Sequence, residues 1–241
     1  MSKMSEKSNV PKGLDSSSSK SPVFNDVVKA RKSVRDFLPD TVPQEVLKKV
    51  LQSAQLTPSN ANTQPWMVHI VSGNAKDKLS LDLLTAVGDG QVSLDFSFSI
   101  EEYSGPCHAR AQRHGEISNA EEGIARDDKE ARMAKAMKNY SFFGAPHVAL
   151  LFLPSVGDNV RAAADIGMYG QTFLLSLVAN GLAGVPQTSI GMFANTVRES
   201  IGVSDDLKLL FAISFGYPSP TELNKPVMEK ADLSETIVFH T

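Results

Sequence analysis

The sequence predicts an α+β class in one domain, on three observations. Segments of helical period and short apolar runs interleave irregularly along the chain instead of alternating in regular strand-helix units. Of the 241 residues, 41% are hydrophobic, enough to bury one sizeable core. There is a single cysteine, Cys107, so no intramolecular disulfide framework substitutes for that core, and a reducing, cytoplasmic location is expected.

In chain order, residues 1–22 are rich in Ser, Lys and Pro, with Ser16 to Ser19 in a row, and read as a flexible tail without a secretory apolar core. The ordered domain is expected over 23–241. A first helix should open at Ser21-Pro22, with Phe24, Val27 and Val28 sharing a buried face, and end in basic residues. A second follows Thr41, whose hydroxyl can form a capping box with Gln44, and carries Val46, Leu47, Val50, Leu51 and Ala54 before stopping ahead of Pro58. The loop Pro58 to Trp66 leads to a buried strand, Met67 to Val71, and then a helix from about Asn74 to Thr85.

Between Gly88 and Asn139 the composition turns polar, ending in a charged helix over Ile124 to Lys138, so the segment reads as an excursion or lid. The apolar hexamer Val148 to Leu153 is too short for a helix and predicts a central strand. The longest helix spans about Asn159 to Ala179, with Ile166, Tyr169, Phe173, Leu174, Leu177 and Val178 to one side and Gly181 as its stop. A short helix from Asn195 to Ile201, a strand from Leu207 to Phe215 and an extended tail ending in Ile237 to Phe239 complete the chain.

The formal net charge of -3 offers no basic excess for nucleic acid or an anionic membrane, and no stretch reaches the roughly 18 apolar residues of a membrane span. Neither partner is expected. Five histidines show no metal-ligand spacing, so no metal site is expected. Gly88-Asp89-Gly90 lacks the third glycine and the surrounding strand-turn-helix of a dinucleotide fingerprint.

Two constellations carry chemistry. In Arg31-Lys32-Ser33-Val34-Arg35, three cations and a hydroxyl within five residues can surround a phosphate, although a solvated helix end has the same composition. In Pro58-Ser59-Asn60-Ala61-Asn62-Thr63-Gln64-Pro65-Trp66, amides present donors and acceptors together, as a flavin pyrimidine edge does, although Asn, Ser and Pro also simply make turns.

Together with Asp36-Phe37, Phe143-Gly144-Ala145-Pro146, Asp165-Ile166-Gly167, Gly181 to Gln187 and Phe215-Gly216-Tyr217-Pro218, these motifs resemble the nitroreductase family of FMN enzymes over roughly residues 24 to 239. The polar stretch 88–139 is most similar to the branch of nitroaromatic and nitrobenzoate reductases. The resemblance implies a central mixed β-sheet flanked by helices in an intertwined homodimer. It further implies bound FMN, reduced by NAD(P)H that binds transiently over it and reoxidised by a nitroaromatic or quinone-like acceptor in a ping-pong cycle. No side chain acts as a nucleophile in such a scheme.

By the same resemblance, Arg31, Lys32, Ser33 and Arg35 hold the FMN phosphate and ribityl chain. Ser59, Asn60 and Asn62, with Gln64 joining them, contact the flavin from the partner subunit. Pro186, Gln187, Thr188 and Ser189 pass flavin N5, where a backbone N–H near Ser189 would donate. The family's tail usually adds two basic residues at Lys-x-Arg spacing. Here the tail reads Met228-Glu229-Lys230, so Lys230 is the second, Met228 brings no charge, and Lys225 is the substitute available. The competing readings are the same scaffold with another reductive chemistry, a dehalogenase or enoyl-type reductase, and a flavin-binding protein without turnover.

Overall fold

The computed structural model describes residues 20–223, 225 and 227–241, so most of the expected N-terminal tail lies outside the described residues. Helix α1 is described over Lys20–Ala30 and α2 spans Gln44–Ala54. Strand β1 (Met67–Ser72) leads into α3 (Gly73–Gly88), followed by α4 (Gly105–Glu121) and α5 (Lys129–Met137). Strand β2 (His147–Pro154), α6 (Val160–Ala179), β3 (Ala183–Gln187), α7 (Ala194–Ile201) and β4 (Leu207–Gly216) form the second half, and two short helices, α8 (Pro220–Leu223) and α9 (Leu233–Thr236), lie in the tail.

The four strands form one sheet in the order β1-β2-β4-β3, with antiparallel pairing between neighbours. The parallel component of the expected mixed sheet is confined to isolated bridges, Ser33 to Gly184 and Ser93 to Phe193. Strand β2 is buried on both faces, which explains why its sequence shows an unbroken apolar run rather than alternation. The alternation reappears in its packing. Val148, Leu150 and Phe152 join Leu79 and Leu83 of α3 and Val197 of α7 on one face. Ala149, Leu151 and Leu153 join Val50 and Ala54 of α2 and Ile166, Tyr169, Phe173 and Leu177 of α6 on the other. The result is a helix-sheet-helix sandwich of α+β class.

Three expectations change. Thr41 does not cap α2, which instead starts after Pro43 with no side-chain cap, the proline fixing the entry angle. The apolar face of α1 is not buried in the chain: Val23, Phe24 and Val28 are 65%, 62% and 42% exposed. Strand β3 falls in a stretch read only as a motif. It tolerates Pro186 because it is an edge strand, and it packs against α6 through Gly184, where a Cβ would lie 2.9 Å from Leu177 Cδ1.

The polar segment after α3 is anchored by charge. Asp95 receives both guanidinium nitrogens of Arg198 at 2.6 and 3.1 Å and the backbone N–H of Leu209 at 2.8 Å, with both side chains almost wholly buried. Beyond this anchor α4 and α5 bury no residue, and Lys135 of α5 holds them together through Ser118, Asn119 and Glu122 of α4 and its C-terminal turn.

His147 opens β2 as a buried neutral imidazole. Its Nε2 accepts from the Val42 N–H at 2.9 Å, its ring stacks on Phe215, and burial together with the charge of Lys76 holds its pKa below the ordinary histidine range. A histidine whose folded pKa lies below its unfolded value is protonated more readily in the unfolded chain. Stability is therefore full above the unfolded pKa near 6.5 and declines as pH falls toward the folded value. We expect urea midpoints to drop from pH 7.5 to 5.5, and His147→Gln to lower stability at pH 7.5 yet lessen that slope. An unchanged slope in the variant would assign the effect elsewhere.

Candidate functional site

The basic segment after α1 is stitched on both sides. On one side Ser33 bridges Gly184 of β3, and the Val34 N–H reaches the Gly184 carbonyl at 3.4 Å. On the other, Phe37 bridges Pro218, the Leu38 N–H donates to Tyr217 O at 2.9 Å, and Ser219 N–H donates to Asp36 O at 3.1 Å. These bonds bury Val34 and Phe37 in the core and leave Arg31, Lys32, Ser33 and Arg35 lining a pocket of about 150 Å³. The tail closes one wall with Lys225, Met228 and Lys230, and α4 closes another with His114, Ser118 and Glu121.

The pocket's charges fall into engaged and free sets. Glu222, almost wholly buried, accepts from the Arg35 backbone N–H at 2.9 Å and pairs with Lys225. Lys32 lines the pocket but donates to the carbonyls of Leu223 and Lys225 at 3.0 and 2.5 Å, so its ammonium braces the tail. Glu122 is satisfied by Lys135 and Lys138 at 3.2 and 3.0 Å; burial opposes its ionisation, yet their hydrogen bonds hold its carboxyl below the usual range. Arg31, Arg35 and Lys230 pair with no carboxylate among the described residues. Unpaired cations converging on a concave site suit an anion with several acceptor oxygens, and the donor set therefore fits a phosphate.

The bridge from Ser33 to Gly184 also sets this pocket beside β3, whose end carries the predicted Pro186 to Ser189 segment. Pro186 and Thr188 are exposed there. Gln187 is not: its amide donates to Asn139 O at 2.9 Å and its oxygen accepts from Ser214, so its side chain serves the interior. The Ser189 hydroxyl is buried without a partner among the described residues.

The amide-rich loop lies apart from this pocket. Its anchor is Asp165 of α6, a buried carboxylate whose two oxygens accept from the Asn60 N–H at 3.1 and 3.2 Å. Ser59 Oγ accepts from the Gln64 N–H at 2.9 Å, and Ala61, Asn62 and Gln64 adopt left-handed φ values of 48°, 58° and 48°. Three non-glycine residues in that region mark a loop held in a sparsely populated shape by its surroundings. The loop ends on Trp66, whose Nε1 donates to Gln55 at 3.2 Å and whose ring lies 5.0 Å from that of Tyr169. Asn60, Asn62 and Gln64 are exposed on the single chain and line no part of the phosphate-type pocket.

The structure thus gathers Arg31, Lys32, Ser33, Arg35 and Lys230 in one pocket, links that pocket to β3 through the Ser33 to Gly184 bridge with Pro186 to Ser189 outside its lining, and leaves Ser59 to Gln64 outside it as well. Sequence reasoning gave no role to Glu222, Asp165 or His114. Asp165 stood within a quoted motif, whereas Glu222 and His114 have no local signal, since their function arises from chain crossings distant in sequence. No group of three or more metal-ligating side chains occurs among the described residues, and no described helix is long and apolar enough to cross a membrane.

Comparison with known proteins adds the family. The model of the nitroreductase family matches residues 28–217. The chain is 41% identical to nitroreductase NfnB of Mycolicibacterium smegmatis, over 88% of this chain and 91% of that protein. It is 29% identical to the 4-nitrobenzoate reductase of Pseudomonas putida, over 80% and 85%. Among solved structures, the FMN-dependent nitroreductase NfnB from Mycobacterium smegmatis in complex with NADPH superposes with a TM-score of 0.87 at 39% identity, over 92% of this chain and 99% of that one.

Asp165 is the residue on which the loop's shape depends. Asp165→Ala removes a charged acceptor from a buried N–H and should cost about 1.5–3 kcal/mol. Amide exchange across residues 59–64 should rise in that variant, and Asp165→Asn should restore part of the protection. Unaltered exchange in Asp165→Ala would show that the loop is held by other contacts.

Proposed function

The chain belongs to the nitroreductase family, and from that premise we infer that it is an FMN-dependent oxidoreductase that uses NAD(P)H to reduce nitroaromatic or quinone-like acceptors by a ping-pong mechanism. The observation that carries the cofactor assignment is the pocket of unpaired cations next to β3. Support for the activity comes from relatives named as nitroreductase and 4-nitrobenzoate reductase, and from a structural neighbour described as FMN-dependent and bound to NADPH.

In this reading Arg31 and Arg35, with Ser33 and Lys230, hold the phosphate end of FMN. Lys32 and Glu222 fix the tail so that those cations stay in place. Residues Pro186, Gln187, Thr188 and Ser189 pass the flavin ring, with backbone N–H groups rather than the Gln187 side chain facing it. When bound, FMN supplies two-electron chemistry between a nicotinamide donor and an acceptor that occupy one pocket in turn. The protein's part is to bind, orient and exclude water; no side chain attacks the substrate.

The site is completed by a second copy of the chain. Asn60, Asn62 and Gln64 are exposed in a loop of fixed shape that Ser59 braces, and elsewhere on the surface the exposed Val23 and Phe24 and the half-buried Val27 of α1 form an apolar groove with Leu175 and Ala179 of α6. A homodimer that covers this groove brings the partner's loop to the flavin. Residues 23–241 act as one domain, the excursion 88–139 sets acceptor choice, and a reducing, cytoplasmic setting suits the lone thiol.

Anaerobic titration separates turnover from storage. The yellow flavoprotein should bleach on adding about one equivalent of NADPH or NADH per flavin, and 4-nitrobenzoate should restore the oxidised spectrum. Bound flavin that neither nicotinamide reduces would favour the storage reading.

A further inference from the structure

We propose that His114 of α4 is a phosphate-binding residue of the FMN site, one that takes up a proton as the phosphate enters and so replaces the tail cation that Met228 cannot supply. The inference rests on the FMN reading above and adds to it a residue, and a pH dependence, drawn from this chain's own geometry.

His114 and Ser118 stand one turn apart on α4, with Glu121 close to one further turn on, so one face of a polar helix presents an imidazole, a hydroxyl and a carboxylate to the pocket. Met228 lines the same pocket and leaves one side of it uncharged. The His114 imidazole has no hydrogen-bond partner among the described residues and is open to solvent, so it can turn toward an incoming anion.

The charges around His114 come from four directions. Arg35 approaches from the segment after α1, Lys135 from α5, Lys230 from the tail and Glu121 from α4 itself. Partial burial first, and then the three cations, hold the free imidazole below its ordinary pKa, with Glu121 opposing them. Without ligand His114 is therefore neutral near pH 7, which spares the pocket a further like charge. A phosphate monoester brings a charge of about −1.5 to −2 and reverses the sign of the local field. The imidazolium then becomes the favoured form, so binding draws a proton from solution and affinity rises as pH falls between the ligated and free pKa values.

The test compares FMN with riboflavin, which lacks the phosphate, in the full-length apoprotein. Flavin fluorescence gives dissociation constants from pH 6.5 to 8.5, and calorimetry in buffers of different ionisation enthalpy counts protons. Near pH 6.5, His114→Gln should weaken FMN binding about tenfold, the lower end of a charged hydrogen bond's contribution. At pH 8.5 the variant and the parent should agree to within about twofold, because both then present a neutral group. The parent should take up more protons than His114→Gln on binding FMN and equally many on binding riboflavin. FMN's own second ionisation is common to both proteins and cancels in that difference. His114→Lys should bind FMN tightly throughout with the excess uptake gone.

Parallel pH profiles for the parent and His114→Gln, or an equal loss of FMN and riboflavin affinity, would overturn the role of His114 and leave the FMN assignment standing. Failure of the parent to bind either flavin would defeat the cofactor reading itself and this inference with it.

Discussion

The backbone stitching of residues 33–38 between β3 and the chain after β4 is the constraint on which the site depends. The four polar side chains of Arg31, Lys32, Ser33 and Arg35, three of them cationic, line one pocket with no carboxylate paired to the three cations among the described residues, and their mutual repulsion would otherwise spread them into solvent. Bonds from Ser33 and Val34 to Gly184, and from Phe37, Leu38 and Asp36 to residues 217–219, fix the segment through groups that carry no charge. The buried Val34 and Phe37 add the apolar share. Glu222 completes the arrangement, since its carboxylate binds the Arg35 backbone rather than its guanidinium and leaves the latter available. The Gly184 position is closed to larger residues by Leu177 and Leu174 of α6, so the long helix, the edge strand and the basic segment form one rigid stack.

The same economy appears at the second constellation. Asp165 uses both oxygens on one backbone N–H and so fixes the turn of the loop while Asn60 and Asn62 stay exposed. The exposed polar loop of fixed shape and the exposed apolar groove on α1 and α6 are the two features on which the proposed dimer rests. The proposed dimer explains both features together, and it explains why α1 keeps its apolar residues although the chain alone does not bury them. The polar excursion is held at its root by the Asp95 to Arg198 pair, and its helices α4 and α5 bury no residue, α4 lining the cation pocket through His114 and Ser118.

Much of this was legible in the residues. The strands β1, β2 and β4 and the helices α2, α3, α6 and α7 follow from apolar spacing, because their packing partners demand that spacing. Two motifs marked the cationic segment and the amide loop. The rest depended on tertiary context. β3 was hidden by its proline and glycine, which an edge strand accepts and a propensity reading does not. α4 was hidden by having no buried face, so its sequence shows no apolar period. Thr41 had the right type for a cap but stood before a proline that determines the entry to α2. Gln187 had the right chemistry for a cofactor contact, yet the hydroxyl of Ser214 and the carbonyl of Asn139 turn it inward. Lys32 was read as a phosphate ligand, and in the folded chain it serves the tail.

The account's central claim is that the cation pocket of one chain and the amide loop of another make a single flavin site, and mixed dimers test it most directly. One chain carries Arg35→Ala and the other Asn62→Trp, which fills space beside the flavin, each abolishing flavin binding in its own homodimer. After the two are unfolded together and refolded at equal concentrations, the account predicts that FMN returns to about a quarter of the sites, because half the dimers are mixed and each mixed dimer has one intact pair of halves. If each chain builds its whole site alone, no mixture restores binding, and an absence of recovery in dimers shown to be mixed would contradict the claim.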